Sequence, residues 1–393
     1  MTGKLAFVIP WYGETISGGA EQELRDLVHH LIKAGQELEV LTTCVESFRS
    51  DWNTDFHKPG LTTENGVPVR RFCVRKRNTA VFDAINAKCM AGKRITPAEE
   101  RVYLKEMVNS PELYDYIRSH QDEYALFYFI PYMFGTTYYG AQICPDKTIL
   151  IPCLHDESYA YFSAFREVYS RVKGMIFHAE PERQLAEKLF GVKKELFTVM
   201  GEGVSFGEKA DAECFREKYR IREPFLLYAG RKEAGKRVDV LIRYFLMHKN
   251  KCPSDLKLVL IGGGSIETFN SPDIVDLGFV PAEDKYDAYA AALVFCNPSE
   301  FESFSLVIME SWLAKTPVMV NADCAVTKDF AIRAKAGLYY ADAAEFSACV
   351  RYLSERPSVR EAMGENGFQF VSNNFAWDIM MRKHFEYIEQ ATR

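Results

Sequence analysis

The feature that most constrains this chain is an alternation found in both of its halves. A short apolar run of strand length ends in a glycine-bearing turn, and a segment of helical character follows. Near the N-terminus, Lys4–Pro10 reads as a strand, Gly18 and Gly19 lie in the next loop, and Ala20–Lys33 carries Leu24, Leu27, Val28 and Leu31 on one helical face. Gly35 stops that helix, and Glu37–Thr43 reads as the next strand. In the second half, Pro224–Ala229 reads as a strand, Gly230 to Arg237 as a turn, and a helix begins near Val238. The strand Leu256–Ile261 then runs into Gly262, Gly263 and Gly264. Strands and helices in this order build α/β sheets. A length of 393 residues exceeds one ordinary core. Two domains are therefore expected, 1–203 and 204–375, with the glycine-rich Gly201–Gly207 as a candidate hinge between them.

A net charge of −6 and a pI near 5.9 argue against bulk nucleic-acid binding. A basic stretch does exist. Between Val67 and Arg94 lie Arg70, Arg71, Arg75, Lys76, Arg77, Lys88, Lys93 and Arg94 against the single acid Asp83. It reads either as a solvated face or as a contact for anionic lipid or a lipid-diphosphate acceptor. The ten cysteines form no C-x-x-C pair. Several, such as Cys153, Cys296 and Cys349, sit in apolar strand-like runs, and we read them as buried thiols in a reducing compartment, neither disulfides nor zinc ligands. No signal peptide or membrane span is visible, so a cytoplasmic protein is expected, with peripheral attachment at the inner face of the cell membrane left open.

Four places carry candidate chemistry. Arg231 and Lys236, on the turn after Gly230, put two cations five positions apart between a strand and a helix, which suits a diphosphate; a solvated basic turn is the bland alternative. Gly18 and Gly19 permit close backbone approach to a ligand, or simply form the turn before a helix. His155 follows the strand Thr148–Pro152 and reads as a ligand hydrogen-bond donor or a loop histidine, with Asp156 as a natural N-cap for the next helix. Pro298 to Pro317 is a loop and helix carrying Glu302 and Glu310 with seven residues between them. Separate carboxylates of this kind suit sugar hydroxyls, or are surface acids. The chain has no G-x-G-x-x-G, no Walker A sequence, no G-x-S-x-G and no cluster at metal-ligand spacing, which removes nicotinamide or flavin, P-loop ATPase and serine-hydrolase readings.

Taken in order, these segments resemble the family-four glycosyltransferases of the GT-B fold. The resemblance rests on GGAEQ, His155, YAGRKEAGKRVDVLI, LVLIGGG, LGFVPAEDKYDAYAAA, ESFSLVIMESWLAKTPV and FAWDIMMRKHFEYI, and covers nearly the whole chain. The opening PWYGETISGGAEQELRDLVHHL resembles bacterial members that assemble surface polysaccharide. The resemblance implies two facing Rossmann-like domains, an acceptor domain at 1–203 and a nucleotide-sugar donor domain at 204–375, with the helix 376–393 packing back on the first.

It also implies roles. Gly230, Arg231, Lys236 and Gly263 would hold the donor diphosphate, with Gly18 and Gly19 beneath it. Glu310 would bind ribose hydroxyls, and Glu302 hydroxyls of the transferred sugar. The backbone of Ser303, Phe304, Ser305 and Leu306 would face the sugar and phosphate, Val280 the base, and His155 the sugar or the leaving phosphate. His155, Arg231, Lys236 and Glu302 are the implied catalytic set. The sequence departs from the family where Ser303 and Ser305 replace glycines flanking Phe304, where Asn321–Val326 replaces a glycine-rich turn, and where Ala179, Glu180 and Pro181 replace the usual serine segment. The implied reaction is retaining transfer from a nucleotide diphosphate sugar to a hydroxyl acceptor, a saccharide or lipid-linked saccharide. It would use no cofactor and no metal, since no D-x-D occurs. A nucleotide-sugar epimerase, a phosphorylase and a non-catalytic nucleotide-sugar-binding protein remain as alternatives.

Overall fold

The computed structural model describes residues 3–16, 18–205 and 210–393. Positions 206 and 207 of the candidate hinge lie outside the described residues. The chain divides into two units, Met1–Gly203 with Met380–Arg393, and Val204–Ile379.

Among the described residues the first unit holds an eight-stranded sheet: β1 Leu5–Val8, β2 Leu38–Thr43, β3 Gly60–Glu64, β4 Val67–Phe72, β5 Leu126–Phe129, β6 Thr148–Leu150, β7 Gly174–Phe177 and β8 Phe197–Val199. Their spatial order is β3-β4-β2-β1-β5-β6-β7-β8. All neighbours are parallel except β3 against β4. Strands β1, β5 and β7 are wholly buried, as strands covered on both faces must be, whereas the antiparallel edge strand β3 is largely exposed. The helix Gly19–Lys33 buries Leu24, Leu27, Val28 and Leu31, the face its periodicity predicts, and Gly35 follows at φ 85°. The region 97–119 forms two helices, Pro97–Glu106 and Pro111–His120, because a capping box at Thr96 and an N-cap at Ser110 each start a new one.

The second unit holds β9 Phe225–Ala229, β10 Lys257–Ile261, β11 Ile274–Gly278, β12 Val294–Asn297, β13 Val318–Asn321 and β14 Gly337–Tyr340. Their order is β11-β10-β9-β12-β13-β14, all parallel. The helix Leu306–Leu313 is fastened by Trp312, whose fully buried indole donates to the Ala336 carbonyl at 3.0 Å. The helix Pro357–Asn374 lies so close to the end of that helix that a Cβ on Gly364 would sit 1.9 Å from the Lys315 carbonyl oxygen. Gly364→Ala is therefore expected to cost about 1–3 kcal/mol by overpacking, read as a lower denaturant midpoint with unchanged slope.

Two local expectations are corrected. Cys349 lies in the helix Ala343–Ser354, not in a strand: the apolar positions around it follow helical spacing once Asp342 caps the segment. Asp156 caps no helix; its carboxylate accepts from the Tyr161 hydroxyl at 2.6 Å, across a short 3-10 turn. The basic stretch is largely partnered within the first unit. Arg70 pairs with Glu39 at 2.6 Å, Arg71 with Glu64, Arg75 with Glu106 at 3.0 Å and Lys88 with Glu99 at 2.5 Å. The Arg77 guanidinium lies over the rings of Trp52 and Phe82. Among the described residues, no helix is long and apolar enough to cross a membrane.

Candidate functional site

In the second unit, connections leave β9 toward β10 on one side, while β12 lies on the other. The chain reverses between β9 and β12, and the carboxyl ends of strands at such a reversal form the natural crevice of an open α/β sheet. The turn after β9 carries Gly230, Arg231 and Lys236, and the turn after β12 carries Glu302 to Ser305. The two turns meet: Lys236 Nζ lies 2.8 Å from Glu302 Oε1, with the lysine side chain 27% and the glutamate 13% exposed. The pair is held in the crevice wall, not on an open surface. Arg231 is 48% exposed and reaches Glu233 at 3.3 Å. Its turn is braced from below by the Tyr228 hydroxyl, which donates to the Arg231 carbonyl at 2.7 Å.

The glycines after β10 are required by close approach. Gly262 sits at φ 121°, and a Cβ there would lie 2.0 Å from the Gly230 carbonyl oxygen. Gly263 accepts from the Lys232 N–H at 2.8 Å, so the β10 turn sets the position of the β9 turn. Lys232, between the two candidate cations, is buried and pairs with Asp276 at 2.5 Å, which makes it part of the scaffold.

The helix Leu306–Leu313 starts at Ser305, which has φ 76° and whose side chain accepts from no helix N–H. Instead its Oγ accepts from Asn297 Nδ2 at 2.8 Å. This hydrogen bond holds a serine in the left-handed conformation, which glycine adopts at less cost. The Phe304 ring is fully buried against Phe330 and Phe375, so only its backbone is at the turn. Glu310, one helical face further on, is half-buried; Lys285 Nζ lies 2.6 Å from its Oε1, and the Tyr289 hydroxyl donates to Oε2 at 3.0 Å. An ionised carboxylate has about four lone-pair sites, so two remain for a vicinal diol. Val280 is buried after β11, and its neighbour Phe279 is 87% exposed.

In the first unit, Gly18 N-caps the helix after β1, and a Cβ there would fall 1.9 Å from Glu21 Oε2, whereas nothing lies within 4 Å of one on Gly19. Glu21 is occupied by the Trp11 indole N–H at 2.5 Å, besides facing the helix dipole. His155 follows β6, is 31% exposed, and has Nδ1 3.6 Å from Glu157.

A charged cluster lies beside it at the same sheet edge. His178, just after β7, is fully buried, with Nε2 2.8 Å from Glu23 and 3.8 Å from Glu202, and Nδ1 3.6 Å from Glu182. The Glu182 carboxylate accepts from the backbone N–H groups of Leu154 and His178 at 2.7 and 2.6 Å. Burial favours the neutral imidazole, but the carboxylates of Glu23, Glu182 and Glu202 outweigh it and push His178 up to about 10. Burial raises Glu182 against the pull of His178 and the two N–H donors.

Residues 223–356 match the family described as glycosyl transferases group 1. A D-inositol 3-phosphate glycosyltransferase of Acidothermus cellulolyticus is 29% identical over 158 residues, 35% of this chain and 35% of that protein. One of Kineococcus radiotolerans is 26% identical over 259 residues, 58% of this chain and 59% of that protein. The chain thus spans about a third to three-fifths of the length of these relatives. Among solved structures, sucrose-phosphate synthase of Thermosynechococcus elongatus superposes with TM-score 0.71 at 16% identity, covering 99% of this chain and 98% of that one. HepE of Anabaena in complex with UDP gives 0.72 at 15%, covering 98% and 100%.

The fold is GT-B. Within this GT-B chain the sequence missed several residues that hold the candidates in place. Lys285 and Tyr289, the partners of Glu310, lie four apart on one face of the helix Ala282–Ala291, a signal that was available. Asn297, which fixes Ser305, is a polar residue ending an apolar strand, also a readable signal. Glu23 and His178 are 155 positions apart, and nothing local announces their contact.

Proposed function

We propose that this chain is a retaining glycosyltransferase that moves a sugar from a nucleoside diphosphate sugar to a hydroxyl acceptor without a metal. The observation that carries the reading is the meeting of Lys236 and Glu302 at the chain reversal of the second sheet, beside Arg231. The names of the partial relatives and the UDP and UDP-glucose complexes of HepE support it. In this reading the bond between the anomeric carbon and the phosphate oxygen breaks, the acceptor oxygen bonds to that carbon on the same face, and its proton passes to the leaving diphosphate. Arg231 and Lys236 stabilise the charge that develops on the diphosphate. An ammonium has three donors, so Lys236 keeps Glu302 oriented while it reaches a phosphate oxygen. Glu302 accepts from sugar hydroxyls, and Glu310 from the ribose. The acceptor is a saccharide or lipid-linked saccharide in surface-glycan assembly at the cytoplasmic face of the membrane.

The test is a thermal-shift screen over UDP, GDP, ADP and dTDP, followed by transfer assays. A nucleotide at 100 times its Kd adds about 2.7 kcal/mol to stability, so one base is expected to raise the Tm by several degrees. Transfer from the matching sugar donor is expected to retain anomeric configuration and to proceed unchanged in EDTA. No shift with any nucleotide would refute the donor site. Release of a free epimer from donor alone, or dependence on phosphate, would identify a different GT-B reaction.

A further inference from the structure

We propose a binding site for a thiophilic divalent cation of the Zn²⁺ class in the first unit, formed by Cys44, Cys73 and Asp55. Cys44 follows β2 and Cys73 follows β4. The parallel register that pairs Thr43 with Phe72 continues one step further, since the Cys44 N–H donates to the Phe72 carbonyl at 2.9 Å. The two cysteines therefore stand side by side at the carboxyl edge of the sheet. Asp55 comes from the loop between β2 and β3 and brings a carboxylate oxygen to them. The two Sγ atoms and that oxygen all lie within 4.8 Å of one another. Ligands around tetrahedral zinc, at Zn–S of about 2.3 Å and Zn–O of about 2.1 Å, are roughly 3.5–4 Å apart, so closure needs a movement of about 1 Å or less.

The backbone holds all three ligands in place. Asp55 Oδ1 accepts from the Val74 N–H at 2.9 Å, next to Cys73, and the His57 N–H donates to the Cys44 carbonyl at 2.9 Å. The loop is thus fastened to both strand ends before any ion arrives, the kind of outer-shell support that metal sites use. Cys44 is buried, Cys73 half-buried and Asp55 exposed, so one side opens to solvent for arrival of the ion and for a fourth, water ligand. Two thiolates and a carboxylate select a soft ion over Mg²⁺ or Ca²⁺. They leave a net charge of −1 around a divalent cation, which the Arg71 guanidinium, acting on Cys44, opposes. Only thiolates ligate the ion, so each ion bound displaces a proton from each cysteine. A second grouping, Glu23, Cys153 and His178, has similar spacing. It differs in kind, because the carboxylates hold His178 protonated and its lone pair is occupied.

The ion would tie the loop to β2 and β4, a stabilising role independent of glycosyl transfer. Titration of the reduced 393-residue chain with Co²⁺ tests it through thiolate-to-cobalt charge transfer in the near ultraviolet. One equivalent is expected to bind, with release of two protons and displacement by Zn²⁺. Cys73→Ser should weaken binding by about 100-fold or more and Asp55→Asn by about 10-fold, while Cys153→Ser leaves it unchanged. Cys44 is buried, and the Cys73 and Asp55 variants keep the test valid if Cys44→Ser fails to fold. Absence of the charge-transfer band overturns the proposal. So does a band of equal affinity in Cys73→Ser and Asp55→Asn, or a Cys44–Cys73 disulfide in unreduced protein whose reduced form takes up no Co²⁺.

Discussion

Arg231→Ala and Lys236→Ala are each expected to lower kcat/KM for glycosyl transfer by about 10²–10³-fold while leaving the fold intact. The size of the effect follows from where charge appears. The leaving diphosphate gains negative charge only as the glycosidic bond breaks, so a cation aimed at it acts more strongly on the transition state than on the bound donor. The stability side differs between the two. Arg231 is half exposed, with a 3.3 Å approach to Glu233, and losing such a surface pair costs less than about 1 kcal/mol. Lys236 is more enclosed, and its removal strips Glu302 of a 2.8 Å partner, so a slightly larger loss of stability accompanies the loss of activity. Steady-state kinetics with circular dichroism and melting curves separate the two effects. Near-normal turnover in both variants would refute the diphosphate assignment.

The second large effect is expected at His178. His178→Ala leaves Glu23, Glu182 and Glu202 around an uncompensated space and should cost about 3–5 kcal/mol, roughly 10 °C in the melting of the first unit. The pH dependence gives a sharper test. The folded-state pKa of about 10 stands above the ordinary 6.5 of an unfolded chain. The proton on His178 therefore contributes its full stability below about pH 6.5, and that contribution is lost as pH rises toward 10, by up to about 1.4 kcal/mol per pH unit. The raised Glu182 acts in the same sense at lower pH. The other groups facing the imidazole are Glu23, Glu202, Cys153, whose thiol burial holds well above its ordinary range, and His384, held down to about 4 by burial and by the charges of Lys383 and His178. Its own titration thus falls below the window. His178→Gln keeps a hydrogen-bond donor but not the charge, and should flatten the decline in Tm between pH 7 and 10. An unchanged slope in that variant would show that His178 is not the titrating group.

Much of this was legible because it is local. The helix Gly19–Lys33 is written in the spacing of Leu24, Leu27, Val28 and Leu31, and the buried strands β1 and β9 in unbroken apolar runs. Where local signals are ambiguous, the structure departs from the expectation. Cys349 sits among apolar residues that fit either period, and Asp156 has an N-cap's composition without a helix to cap. Cys44 and Cys73 are 29 positions apart with no metal-ligand spacing, and only the register of β2 on β4 sets them side by side.

The sequence by itself determined that this chain makes two α/β sheets, and that Arg231, Lys236, Glu302 and Glu310 lie on turns or helices near their carboxyl edges. Periodicity and glycine placement act over a few residues, so a linear reading reaches them. Only the tertiary structure decided which charges meet. Lys236 closes on Glu302 because β9 and β12 are neighbours, Glu310 finds Lys285 because their helices run side by side, and Glu23 reaches His178 because the helix after β1 lies over the end of β7. Strand order and helix packing are settled by burying apolar surface throughout a domain, and the ion pairs take the positions that this burial leaves them.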